Sequence, residues 1–107
     1  MTEQLPGTSG SGSVVLEIGA DTGALVLRTP PSMDGREIEL SPNGSPDAPR
    51  THSRVRQRWT AGRVWYAAVY PDLAAGEYVI WRDPLTPAAT VTIDGGHVTF
   101  GQWPARP

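Results

Sequence analysis

The stretch AATVTI-DGG-HVTFGQW, residues 88–103, decides the fold. Two runs of strand length alternate apolar and polar residues, and the glycine-rich sequence at 94–96 separates them. Alternation with a period of two places the apolar side chains on one face, which is typical of a β-strand that covers a core on one side. A short Asp-Gly-Gly connection is a common turn between two such strands. These residues therefore predict a β-hairpin, with residues 97–103 closing the domain through Val98 and Phe100.

The same pattern recurs upstream, where runs of strand length are separated by turns rich in Gly and Pro. The predicted strands are VVLEIG (14–19), ALVLRT (24–29), REIELS (36–41), THSRVRQRWT (51–60), VWYAAVY (64–70), EYVIWR (77–82), AATVTI (88–93) and HVTFGQW (97–103). Helical spacing of Val55 and Trp59 leaves a helix open as a second interpretation of residues 51–60. Short strands without an intervening helix predict an all-β fold, an antiparallel β-sandwich of about seven or eight strands.

The chain length of 107 residues fits one compact domain. Residues 1–12 are polar and rich in Gly, Ser and Thr, so they are predicted to form a flexible N-terminal tail. The β-sandwich domain is predicted to span residues 13–104, and residues 105–107 a C-terminal tail. The first residues also lack the basic and apolar regions of a signal peptide, so a cytoplasmic location is expected.

The composition excludes several chemistries. The chain has no cysteine, and all 9 of its basic residues are arginine. Disulfides, thiolate nucleophiles, cysteine-ligated zinc and Schiff-base lysines are therefore impossible. A net charge of -2 provides no overall positive field, so neither nucleic acid nor a membrane is predicted as a partner.

The last third of the chain resembles a known group of domains. LAAGEYVIW (73–81) and ATVTIDGGHVTFGQW (89–103) are similar to the C-terminal half of prealbumin-like sandwiches, which include CnaB-type and carboxypeptidase-regulatory-like domains. The matching positions are Leu73, Gly76, Tyr78, Val79, Val91, Ile93, Gly96, Val98 and Thr99. The resemblance implies a prealbumin-like Greek key. Without lysine the isopeptide bond of CnaB adhesins cannot form, and the ending GQWPARP lacks the tyrosine-rich tetrapeptide of transthyretin-related hydrolases.

A row of basic side chains is the most unusual local feature. If residues 51–59 form one strand, one face carries His52, Arg54, Arg56 and Arg58. Guanidinium groups two residues apart on a strand lie about 7 Å from each other and can bind carboxylates or phosphates of a partner. The alternative is a solvated strand face that pairs with Glu37 and Glu39 across neighbouring strands.

Two tryptophans are candidate ligand-binding residues. Trp65 is followed by Tyr66, so one of the two rings faces outward, and Trp81 is followed by Arg82. An exposed tryptophan can serve as a flat platform for a carbohydrate. The alternative is that these rings pack in the core, where burial contributes roughly 2–3 kcal/mol each.

Catalytic and metal sites find no support. The histidines at 52 and 97 lack the spacing of metal ligands, and the serines lack a nucleophile motif. No catalytic residue, metal ligand or cofactor is therefore predicted. The first hypothesis is a non-enzymatic module that binds another protein, or a second copy as a homodimer, through a sheet edge or the arginine face. The alternatives are a carbohydrate- or small-ligand-binding sandwich and, third, a small hydrolase.

Overall fold

The computed structural model describes residues 19–45 and 47–104. The predicted tails at 1–12 and 105–107, and all but the last residue of the predicted strand 14–19, lie outside this part. Within it the chain is almost entirely β-structure, and no helix there is long and apolar enough to cross a membrane.

The described residues form eight strands and one short 3₁₀ turn. The elements are β1 (Thr22–Thr29), the 3₁₀ turn (Pro31–Met33), β2 (Glu37–Pro42), β3 (Thr51–Arg54), β4 (Arg56–Thr60), β5 (Arg63–Ala74), β6 (Gly76–Asp83), β7 (Thr86–Ile93) and β8 (Val98–Gln102). The first sheet has the order β4-β5-β1-β8 and the second sheet the order β3-β2-β6-β7. Neighbouring strands are antiparallel except β1 and β8, which are parallel. The predicted all-β sandwich of about seven or eight strands is thus confirmed, and the parallel pair of β1 and β8 is the one departure from the predicted antiparallel pairing.

The core lies between the two sheets and follows the alternation of the sequence. Its largest fully buried side chains are Leu25, Leu27, Ile38, Leu40, Val55 and Ile93. In β2 the two apolar residues face the core, whereas Glu37 is exposed and Glu39 is half-buried on the other face, as the sequence predicts. The hydroxyl of Tyr70 in β5 donates a hydrogen bond of 2.6 Å to the carbonyl oxygen of Ile38 in β2. This bond joins the two sheets through the core.

The prediction of a single strand at residues 51–60 is wrong in one respect. The segment is extended, which decides against the helix, but it breaks at Val55 into two strands of different sheets. Val55 is fully buried; its N–H donates to Arg36 O at 2.8 Å and its carbonyl accepts from Gly35 N at 2.8 Å. Because these bonds satisfy the backbone at the crossing, the chain can pass from one sheet to the other.

β5 is longer than predicted, since it continues through Pro71 to Ala74. Proline cannot donate a ladder hydrogen bond, which is why the sequence predicts that the strand ends at Tyr70. The register between β1 and β5 shifts at this point: Leu25 pairs with Tyr70, and Gly23 pairs with Leu73. Pro71 therefore lies in a β-bulge, where the missing donor costs little.

The turn at 94–96 does not form the predicted hairpin. It joins β7 of the second sheet to β8 of the first sheet, and β8 pairs in parallel with β1. The start of β1 passes so close to this turn that a Cβ on Gly95 would lie 2.0 Å from Ala20 O, and one on Gly23 would lie 2.4 Å from Asp94 O. The glycines are therefore required by a close crossing of chain segments.

Candidate functional site

Charge is segregated between the two sheets, although the net charge of the chain is only -2. The strands of the first sheet carry four arginines and one carboxylate: Arg28, Arg56, Arg58, Arg63 and Asp72. Those of the second sheet carry two arginines and four carboxylates: Arg54, Arg82, Glu37, Glu39, Glu77 and Asp83. An acidic molecule would therefore meet its most favourable field at the first sheet.

The structure does not bring the predicted basic row together on one face. His52 and Arg54 lie in the second sheet, and both contact Glu37: His52 Nδ1 is 3.2 Å from Oε1, and Arg54 Nη2 is 3.1 Å from Oε2. Arg56 and Arg58 lie in β4 of the first sheet. His52 and Arg54 thus adopt the alternative that the sequence left open, which is cross-strand pairing with a glutamate.

Arg58 is not a surface residue. Its side chain is only 4% exposed, and Nη2 donates a hydrogen bond of 3.3 Å to Ala67 O. Burial lowers the pKa of Arg58, and the positive charge of Arg56 acts in the same direction. The expectation that Arg58 lies on an exposed face beside Arg56 is therefore wrong, whereas Arg56 itself is exposed.

A groove of about 380 Å³ lies on the outer face of the first sheet, at the end that carries the β4–β5 turn. The described residues that line it are Arg28, Thr60, Ala61, Arg63, Val64, Trp65 and Phe100. Cross-strand register explains this assembly: Trp65 in β5 and Arg28 in β1 point to the same outer face, and Phe100 reaches it from β8. Trp65, a ligand-binding candidate from the sequence, thus lines a groove.

Two contacts fix the ring of Trp65. The Arg28 guanidinium carbon lies over the ring, 5.0 Å from its centroid, and the indole N–H donates to Thr60 Oγ1 at 2.8 Å. Arg28 and Arg63 form no ion pair or side-chain hydrogen bond with any residue in the described part of the chain. Since none of the described lining residues is acidic, the groove presents two cations without a local carboxylate.

The rim of the groove contains the strained turn between β4 and β5. Its two central residues, Ala61 and Gly62, have φ angles of 50° and 77°. Positive φ at both positions is typical of the type I′ turn that joins two strands directly. Ala61 is the one non-glycine residue with positive φ in the described part of the chain. This turn holds Thr60 and Arg63 opposite each other beside Trp65.

Trp81, the second ligand-binding candidate, lies on the outer face of the second sheet in a different setting. The Arg50 guanidinium carbon is 3.8 Å from its ring centroid, and the indole N–H donates to Ser41 Oγ at 2.9 Å. Arg50 also forms an ion pair of 2.9 Å with Glu39. The adjoining groove of about 270 Å³ is lined by both charge signs: Arg36, Glu37, Glu39, Trp81, Arg82, Asp83 and Pro84. The cations next to Trp81 thus already have carboxylates nearby.

The two histidines contact different partners. His52 contacts Glu37, whereas His97 Nδ1 lies 2.9 Å from the carbonyl oxygen of Gly95 in the β7–β8 turn. Across residues 19–45 and 47–104, no three His, Asp or Glu side chains lie together as metal ligands would.

Among the described lining residues of the groove, only Trp65 is a sequence-based candidate, and Arg28 and Phe100 show why the others are absent. Leu25 and Leu27 share the core-facing side of β1, so strand alternation places Arg28, the next residue, on the outer side. Phe100 is expected on the core side, yet it is 59% exposed, and Gly101 faces Leu25 and Leu27 instead. β8 pairs with β1 rather than with β7. The pairing with β1 decides which residues of β8 face the core, and the sequence does not indicate that pairing.

Comparison with known proteins adds no relative. No protein-family model matches the chain, and neither a curated protein nor a solved structure matches it. The resemblance to prealbumin-like sandwiches therefore stays a prediction.

Proposed function

We propose that this protein is a non-enzymatic interaction module that binds an acidic partner protein on the outer face of its first sheet. One observation carries the proposal. The groove beside Trp65 holds two arginines, Arg28 and Arg63, and none of its described lining residues is acidic. A carboxylate from a partner would gain charge-assisted hydrogen bonds there without displacing one already formed.

The second sheet is less suited to such a partner because carboxylates lie beside its cations, including Arg36 and Arg82 in the groove next to Trp81. Arg50 contacts Glu39, and Arg54 contacts Glu37. A partner carboxylate would have to compete with these glutamates and would meet their negative charge. The predicted arginine-rich binding face is therefore reassigned from Arg54 to the arginines around Trp65, with Arg56 next to them on β4.

The apolar part of the groove fits a protein partner as well. Phe100 is 59% exposed and Val64 is 44% exposed, and both line the groove with Trp65. Aromatic residues and arginine are enriched at the centres of protein interfaces, where aromatic anchors supply much of the binding free energy. Arginines beside exposed apolar side chains match that composition.

A carbohydrate-binding role receives less support. Stacking of a sugar ring requires an open aromatic face, but an arginine guanidinium lies over a ring face of each candidate: Arg28 over Trp65 and Arg50 over Trp81. The same contacts leave little of either ring for stacking with a nucleic acid base. A protein partner is therefore favoured over both.

Partner capture tests the proposal with charge-matched variants. Immobilised wild-type protein, R28Q/R63Q and R50Q/R54Q are incubated with an extract of the native host, and captured proteins are identified, purified and bound again. Each variant loses two positive charges. R28Q/R63Q loses them on the first sheet, and R50Q/R54Q loses them at the second sheet. We expect an acidic partner to be retained by wild type and R50Q/R54Q and lost by R28Q/R63Q, while circular dichroism shows that all three are folded. Equal retention by the two variants would contradict the proposal.

A further inference from the structure

We infer that the groove beside Trp65 accepts the C-terminal carboxylate of a partner chain whose last side chain is apolar. The inference rests on the proposed function and specifies which part of the acidic partner enters the groove. It follows from the volume of the groove, from its two arginines without a carboxylate in the described lining and from the exposed apolar side chain beside them.

The volume limits what can enter. Pockets that bury a small ligand usually measure about 300–1,000 Å³, and this groove, at about 380 Å³, lies at the lower end of that range. It therefore holds one or two residues of an extended chain rather than the surface of a folded domain. A chain terminus can enter such a site from one side, whereas an internal segment must leave it again.

Two cations line the groove, and each can hold a carboxylate. Arg28 and Arg63 have no carboxylate partner in the described part of the chain, and guanidinium groups bind carboxylates through two parallel hydrogen bonds. Arg28 is also held over the Trp65 ring. Because this stacking restricts its rotamers before binding, less conformational entropy is lost when a ligand arrives.

The mixed lining of the groove favours a terminal carboxylate. Arg28 lies over a face of the Trp65 ring, and the exposed Phe100 ring lines the same groove, so a cation and an open apolar side chain share one site. The last residue of a chain carries a carboxylate and a side chain on the same Cα atom. In an extended internal segment, side chains on one face are about 7 Å apart. A terminal apolar residue therefore fits both parts of the groove at once.

The rim supports the same assignment. Phe100 is exposed beside the arginines and would lose water contact when an apolar side chain enters. Ala61 at the rim keeps a φ angle of 50°, an uncommon conformation for a residue with a Cβ atom. The type I′ turn accounts for this angle and places Ala61 at the rim of the groove.

An NMR titration of the full chain with defined peptides tests the inference. The probe is acetyl-Gly-Gly-Phe with a free carboxylate, and its control is the same peptide with a C-terminal amide. We expect saturable shifts of the Ala61, Val64 and Phe100 amides and of the Trp65 indole, and about tenfold or greater weakening for the amide. R28Q should weaken binding of the free carboxylate to a similar extent, whereas R54Q on the second sheet should leave it within about twofold.

Other outcomes separate this inference from the proposed function. Equal affinity for the amide overturns the terminal carboxylate. Tighter binding of the internal acidic peptide acetyl-Gly-Asp-Phe-Gly-amide at the same amides also overturns it, but supports the acidic partner. If N-acetylphenylalanine binds as tightly as the tripeptide, the ligand of the groove is a small carboxylate and the inference of a chain terminus is wrong. If only an oligothymidylate shifts the groove resonances, both the inference and the proposed function are wrong.

Discussion

The bond between Tyr70 and Ile38 allows a quantitative test of how the two sheets are held together. The Tyr70 ring is 2% exposed, and its hydroxyl donates to Ile38 O across the core at 2.6 Å. Replacing Tyr70 by Phe keeps the ring but removes the donor, so a carbonyl oxygen in the core loses this partner. Such a loss costs about 1–2 kcal/mol. For a domain of this size, it lowers Tm by roughly 5 °C or more.

The same substitution has a defined pH dependence. Burial raises the pKa of Tyr70 above its ordinary value, and the negative charge of Glu39 acts in the same direction. A raised pKa in the folded state contributes stability that is present below the unfolded value of about 10 and is lost as the pH rises above it. The wild type therefore loses stability in alkali through Tyr70, and Y70F does not.

Urea unfolding at pH 7.5 and pH 11 measures both effects. We expect Y70F to be less stable than wild type at pH 7.5 and the difference to shrink at pH 11, with unchanged m-values. Y78F is the matched control: the Tyr78 hydroxyl donates to Ala74 O at 2.7 Å, four residues away across the β5–β6 connection rather than across the core. Equal stability of wild type and Y70F at pH 7.5, or a difference that grows in alkali, would refute this account.

Three further substitutions test local features. A61N should raise the free energy of unfolding by about 0.5–1 kcal/mol, because Asn tolerates the positive φ of the type I′ turn; a lower Tm would contradict the turn assignment. G95A should destabilise by more than about 2 kcal/mol, since its Cβ would lie 2.0 Å from Ala20 O, whereas G101A meets its nearest atom at 3.6 Å and should cost far less in the same urea melts. Hydrogen bonds from the 83–86 turn lower the pKa of Asp83, so D83N should be less stable than wild type at pH 7 and equal to it near pH 2; a constant difference would exclude ionisation as the cause.

Much of the architecture is predictable because it follows from local alternation. The apolar positions of β1 and β2 face the core as their period of two requires, with Leu25, Leu27, Ile38 and Leu40 fully buried. The crossing at Val55 is different in kind. It depends on backbone hydrogen bonds from Gly35 and to Arg36, which are distant in sequence and carry no local signal.

The binding groove is only partly predictable for the same reason. Trp65 is a candidate from its own strand, since alternation places the ring of either Trp65 or Tyr66 outward. Its contact with Arg28 depends on the pairing of β1 with β5, and the exposure of Phe100 depends on the parallel pairing of β8 with β1. Alternation also gives the face of Arg58 but not its burial. A linear sequence thus indicates which residues share a strand face, but neither which face is buried nor which residues of different strands meet.

Site-specific photocrosslinking tests the central claim most directly, that a partner protein binds the outer face of the first sheet. The photoreactive residue p-benzoylphenylalanine replaces either Phe100, which lines the groove and is 59% exposed, or Leu85, which is 89% exposed in the β6–β7 turn of the second sheet. Both variants are irradiated in cells of the native host. We predict a crosslink to an acidic protein from position 100 that disappears in R28Q/R63Q and is absent from position 85. Crosslinking from position 85 alone would contradict the claim.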